Sequence, residues 1–369
     1  MKFGSQTCCA LLAFAIAAPT ILAQRSAERE PNTSGAASLK LPAPANPKAD
    51  STGAGGLIDP PANINTSANE ELGPTSLKSA QSYFHVGAAS ISAGHYKEAI
   101  APLEVARQLA PTSSAVHREL GYAYFSLGEY ENAIKAYERA LSLNPHSFAT
   151  RRSLAIAYIS SGKAEQAIPC LQEATRLEPE SAINHYLLAV AFDDAAQADD
   201  AVTHFLRSLA LDRNHYRSYF GLAAIYMHQS RTEDAIGLLK KAIQLKPDFG
   251  EAYVALGNAF SSGKNYKDAI RNYDLAIKLN PQNVVARNNL GVAYLNIGKH
   301  KESLEAFKYA ATLGPEVGQI HLNLARAYLQ VRNEDAALAE YGLLKKIDSA
   351  LASTIFAEIF QSRILKARD

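Results

Sequence analysis

The chain has 369 residues, 47% of them hydrophobic and 20% charged, which is enough apolar material for a packed interior and too little charge for an unfolded polyelectrolyte. Its 37 Lys and Arg against 36 Asp and Glu leave a formal charge of +1. That balance excludes the broad basic field needed to hold nucleic acid or anionic lipid.

At the N-terminus, Lys2 precedes an apolar run from Cys8 to Ala18, then Pro19 and a small-residue exit near Ala23. The pattern predicts a secretory signal peptide over residues 1–23, cut after Ala23 or, in competition, after Ala17. The run is too short for a permanent spanning helix, and no later stretch approaches the roughly 20 apolar residues that one requires. No membrane span is therefore expected. Cys8 and Cys9 leave with the leader, so Cys170 is the one remaining thiol and internal disulfides are not expected. Residues 24–75 carry Pro42, Pro44, Pro47, Pro60 and Pro61 among Ala, Ser, Asn, Thr and Gly, and read as a disordered linker.

A helical pattern opens after Thr75 and continues through residue 351. Prolines 111, 145, 179, 247, 281 and 315 fall on one grid of thirty-four residues, with Arg213 at the skipped point. Eight units follow in phase: 80–113, 114–147, 148–181, 182–215, 216–249, 250–283, 284–317 and 318–351. The seventh place is Val86 and then Leu in every unit from Leu120 to Leu324. The eighth is always Gly or Ala, the eleventh is aromatic in all units but the first, and the twentieth is Ala except for Ser303. Apolar residues three and four apart give two amphipathic helices per unit, and the small residues let them approach closely. Gly94, Gly128, Gly162 and Gly298 sit where the first helix must reverse. Ala196, Ser230 and Arg332 replace that glycine, so looser or differently angled joints are expected there. Pro102 and Pro169 lie inside second helices and are expected to bend rather than break them. Residues 352–369 place Ile355, Phe356, Ile359, Phe360, Ile364 and Leu365 on one side, predicting a capping helix.

These residues resemble the tetratricopeptide repeat over 80–351. The resemblance implies an all-α fold, a right-handed superhelical solenoid of helix-turn-helix repeats, and a protein that binds proteins or extended peptides.

No catalytic residue, cofactor site or metal site is expected. The ten histidines include no two that are three or four apart, so no single helix offers paired imidazoles. His117, His185 and His321 share the fourth place of their units and read as core residues. Asp193, Asp194, Asp199 and Asp200 lack the glycine and alternating ligands of a calcium loop. Phosphate loops, nucleophile elbows and Cys/His arrangements are missing from the sequence. Cys170, beside Pro169, reads as a quiet packed thiol.

The resemblance implies instead a concave groove lined by the first helices. Carried onto this chain, its places give Arg118, Tyr122, Phe125, Ile156, Ile159, Tyr186, Val190, Phe220 and Met227 in the front half. In the rear half they give Asn258, Asn288, Asn289, Asn323 and Arg326. A guest would lay apolar side chains in the front, while the amides of Asn258, Asn289 and Asn323 hold its backbone. The expected function is thus a non-catalytic scaffold or adaptor, exported to a bacterial periplasm or secreted. The alternative is a fixed structural subunit of a cell-envelope export or assembly complex.

Overall fold

A computed structural model describes residues 74–366, with side chains over 77–360. The expected signal peptide and all but the end of the linker lie outside the described residues. Among the described residues there are seventeen helices and no strand. They divide into two compact units, before and after the Gly221–Leu222 bond.

The first unit begins with α1 (Pro74–Ser92) and α2 (Tyr96–Leu109), followed by α3 (Ser114–Ser126) and α4 (Tyr130–Leu143). Next come α5 (Phe148–Ser160), α6 (Ala164–Leu177), α7 (Ala182–Asp194) and α8 (Ala198–Leu211). Within this unit α1 through α8 pack each on the next. The unit boundary falls inside α9 (Tyr216–His228). The second unit holds α10 (Thr232–Leu245), α11 (Gly250–Ser262), α12 (Tyr266–Leu279), α13 (Val284–Asn296) and α14 (His300–Leu313). It ends with α15 (Gly318–Gln330), α16 (Glu334–Ile347) and α17 (Ser349–Lys366), again stacked in order.

Helix starts follow local chemistry. Ser113, Ser147, Ser181 and Asn283 cap α3, α5, α7 and α13 by accepting from the backbone N–H three residues on. α2 and α6 run unbroken through Pro102 and Pro169, as expected.

The turn between the helices of each repeat is alike in all eight. Gly94, Gly128, Gly162 and Gly298 take φ of 76–77°, while Ala196, Ser230, Lys264 and Arg332 take 58–60°. Non-glycine residues therefore accept the left-handed conformation, and the backbone reverses there as it does at the glycines. Lys264 holds the position although Gly263 is next to it, because the repeat register, not the composition, selects the residue that reverses the chain.

The interior follows the repeat. The residue at the twentieth place is fully buried in all eight units, and Ser303 satisfies its hydroxyl by donating to the Gly291 carbonyl at 2.9 Å. Seventh-place leucines are buried throughout, while Val86 of the first repeat is 53% exposed. A Cβ on Gly121, Gly257 or Gly291 would come within 2.7 Å or less of the ring of Tyr137, Tyr273 or Phe307. At the eighth place glycine thus makes room for an aromatic at the twenty-fourth. In the fourth repeat that place is Ala189, and the space for Phe205 comes from Gly221 instead, where a Cβ would approach Cζ to 2.4 Å.

Candidate functional site

In the first unit, Tyr122 and Phe125 lie one turn apart on α3 and are half-buried. Tyr122 meets Tyr96 edge-on at 6.0 Å, and Phe125 tilts against Tyr130 at 5.6 Å. Burial pushes the Tyr122 phenol up to about 12, so it remains a neutral donor. Arg118 pairs with Glu119 at 2.8 Å, with side chains 13% and 4% exposed. Burial raises the Glu119 carboxyl and the Arg118 charge opposes that rise. Ile156, Ile159, Tyr186, Val190 and Phe220 are buried to core levels, so much of the stretch expected to be greasy is closed to a guest. Tyr186 packs on Phe205 and on His215.

In the second unit Met227 is half-buried, and the asparagines form a chain of hydrogen bonds. Gln319 donates to Asn323 at 3.2 Å, Asn323 to Asn288 at 2.9 Å, Asn288 to Asn289 at 3.0 Å and Asn289 to Asn258 at 2.9 Å. The Tyr273 hydroxyl donates to the same Asn258 oxygen at 2.8 Å. Asn288, Asn289 and Asn323 are at most 1% exposed. The structure therefore differs from an open clasp of three amides: buried side-chain amides must find partners, and here they find one another. Asn258 and Gln319, at the two ends, keep exposed surface. Arg326 is engaged as well, forming a forked pair with Glu358 of α17 at 2.7–3.1 Å.

The fourth-place histidines are buried and satisfied. His117, His185 and His321 each donate Nε2–H to the carbonyl of Pro111, Pro179 or Pro315, at 2.9–3.1 Å. What the spacing within single helices missed is a pair across helices: His185 of α7 meets His204 of α8, Nδ1 to Nδ1, at 3.0 Å. Among the described residues no group of three or more His, Cys, Asp or Glu is placed to hold a metal ion. Asp199 and Asp200 lie exposed in the first turn of α8, where carboxylates meet the helix dipole. Cys170 is a half-buried free thiol whose burial pushes its pKa up, which lowers its reactivity. No described helix is long and apolar enough to cross a membrane.

Tandem hairpins in strict register, with small residues at each helix contact, define a helical-repeat scaffold. Family models described as tetratricopeptide repeat match residues 114–147, 152–209, 186–248 and 295–350, and one described as TPR repeat matches 257–298. The chain belongs to the tetratricopeptide repeat family and has the fold of a protein-binding scaffold. No curated protein matches it significantly. Among similar solved structures, the APC/C hetero-tetramer Cut9-Hcn1 shares 16% identity over 72% of this chain and 52% of that chain, with TM-score 0.56. This chain thus spans about half the length of that one. The structure of pilF from Pseudomonas aeruginosa shares 21% identity over 62% of this chain and 99% of that chain, with TM-score 0.51. At these identities the likeness is one of fold.

Proposed function

We propose that the chain is a non-catalytic scaffold that captures a protein or extended peptide outside the cytoplasm, in a bacterial envelope. The observation that carries the capture reading is that Tyr122 and Phe125 keep part of their ring surface open on one helix, with the Arg118–Glu119 pair a turn away. Aromatic rings and guanidinium groups are the side chains that most often anchor interfaces. In the second unit, Asn258 receives two hydrogen bonds on its oxygen, so its amide N–H groups suit a guest carbonyl. Gln319 has its amide N–H directed to Asn323, and its oxygen suits a guest N–H. Export is supported by the apolar run from Cys8 to Ala18 with its small-residue exit.

Crosslinking in the native envelope followed by mass spectrometry tests the capture reading. The double variant Tyr122→Ala/Phe125→Ala is expected to lose about tenfold or more of partner capture, since paired hot-spot rings carry upwards of 1.4 kcal/mol. Unchanged capture by a folded variant refutes it. A large assembly that stays intact on size exclusion favours the fixed-subunit alternative. For location, the mature chain should begin at Gln24 or Ala18 and fractionate with the envelope; a cytosolic chain that retains Met1 refutes export.

A further inference from the structure

His185 and His204 are nineteen residues apart and sit at the fourth and twenty-third places of the fourth repeat. His185 donates its Nε2–H to the Pro179 carbonyl at 3.1 Å, so in the neutral ring Nδ1 is an acceptor. That atom faces His204 Nδ1 at 3.0 Å. The ring planes are 18° apart and the centroids 5.3 Å apart, so the two nitrogens close the gap edge to edge with one proton between them. His204 must supply it, because the His185 proton is held at the carbonyl. The Phe192 ring is nearly parallel to that of His204, centroids 5.5 Å apart. One added proton can still be shared, because a neutral His204 can carry its own proton on Nε2 and accept through Nδ1; once both rings are doubly protonated, two N–H donors stand head to head in a partly desolvated contact.

The eighth repeat carries the same frame with different chemistry. His321, also at the fourth place, donates Nε2–H to the Pro315 carbonyl at 2.9 Å. Its Nδ1 lies 2.6 Å from Glu340 Oε2, and Glu340 occupies the twenty-third place. A carboxylate only accepts, so the doubly protonated ring fits.

We propose that the His185–His204 contact is an acid-released latch between α7 and α8, closed while the two rings can share a proton between their Nδ1 atoms and opened when both rings are doubly protonated. The His321–Glu340 contact is the same latch wired in the opposite sense. The fourth repeat is suited to release, because it closes on Arg213 instead of proline.

Other charged groups around the pair are few. On α8, Asp200 acts on His204 and Arg207 on His185, with opposite signs. From α6, the C-cap Glu178 accepts from Asn184 at 3.1 Å. Before α9, His215 faces Tyr186 at 4.8 Å and is bonded to Ser218. At the far end of α7 stand Asp193 and Asp194. Burial lowers the pKa of both His185 and His204 below the ordinary value of about 6.5. The unfolded chain then takes up protons first, so the stabilisation is present above that value and is lost as pH falls below it.

Amide hydrogen exchange on the full mature chain, corrected for the intrinsic pH dependence, is the test. Between about pH 7.5 and about pH 5, opening of α7 and α8 should rise about tenfold relative to α11 and α12, as expected for one extra proton taken up by the open form. The α11–α12 segment contains no histidine and serves as the reference. His204→Gln, whose amide can turn either its oxygen or its N–H toward His185, should abolish the difference. His204→Glu should reverse it, with α7 and α8 better protected at the lower pH, while His215→Gln should leave the wild-type response in place. The latch is refuted if wild-type α7 and α8 track α11 and α12, if His204→Glu leaves the sign unchanged, or if the response disappears with His215.

Discussion

At the fourth place of a repeat, a side-chain donor reaches back six residues to the carbonyl that closes the repeat before it. His117, Arg151, His185, Tyr219, Arg287 and His321 all do this, with imidazole, guanidinium and phenol interchangeable in the role. The shared requirement is a donor long enough to satisfy a carbonyl left over at a helix end, which is why histidine there is buried without being a ligand. The eighth place is equally strict for a different reason. Gly257→Ala would drive a methyl group into the Tyr273 ring, and the expected loss is about 1–3 kcal/mol by urea denaturation. The left-handed turns point the other way. Lys264→Gly and Arg332→Gly should each raise stability by about 0.5–1 kcal/mol, read as a higher urea midpoint, because glycine adopts that φ without a Cβ penalty.

Between helices, polar side chains fix how α11, α13 and α15 lie against one another. The asparagine chain links Asn258 of α11, Asn288 and Asn289 of α13, and Asn323 of α15. Asn288→Ala removes two of its links in a fully buried place, and a loss of about 1–3 kcal/mol is expected on chemical denaturation. If stability is unchanged, the chain is not contributing to the packing of these helices. The His321–Glu340 pair joins α15 to α16 and makes a pH prediction of definite sign. The hydrogen bond to Glu340 raises the His321 pKa against the opposing effect of burial. Its stabilisation is therefore fully present below the ordinary value of about 6.5 and is lost as pH rises through the higher folded value. Glu340→Gln should flatten that part of the stability–pH curve, measured by thermal melts across the range.

For the molecule as a whole, the question is how a stack of repeats ends. α17 covers α15 and α16, placing Ile355 and Ile359 against Leu322 and Leu344, and the Arg326–Glu358 fork ties it down. Removing residues 349–369 would uncover that apolar face. The expected result is a chain that aggregates or loses exchange protection first in α15 and α16, since each repeat is stable only through its neighbours. A truncated chain that remains monomeric and equally protected would show that the eighth repeat needs no cap. At the other end, the exposure of Val86 marks the same kind of surface on the first repeat.

Residue order alone was sufficient for the hairpins, because a thirty-four-residue period in prolines and small residues states where each helix stops and which stripe it buries. Even the closing helix was legible, although it starts at Ser349, three residues before the expected 352, since Asp348 accepts from the N–H groups of Ala350 and Leu351 and opens it early. The groove was less legible. Periodicity assigns a residue to a face through its neighbours three and four positions away, but it does not say which side chain from another helix will arrive opposite. His185 with His204, Asn258 with Asn289, Asn288 with Asn323 and Arg326 with Glu358 are 19 to 35 residues apart. Those meetings depend on how one hairpin settles against the next. Helix packing decided which polar groups were free for a guest and which were already bonded inside the protein.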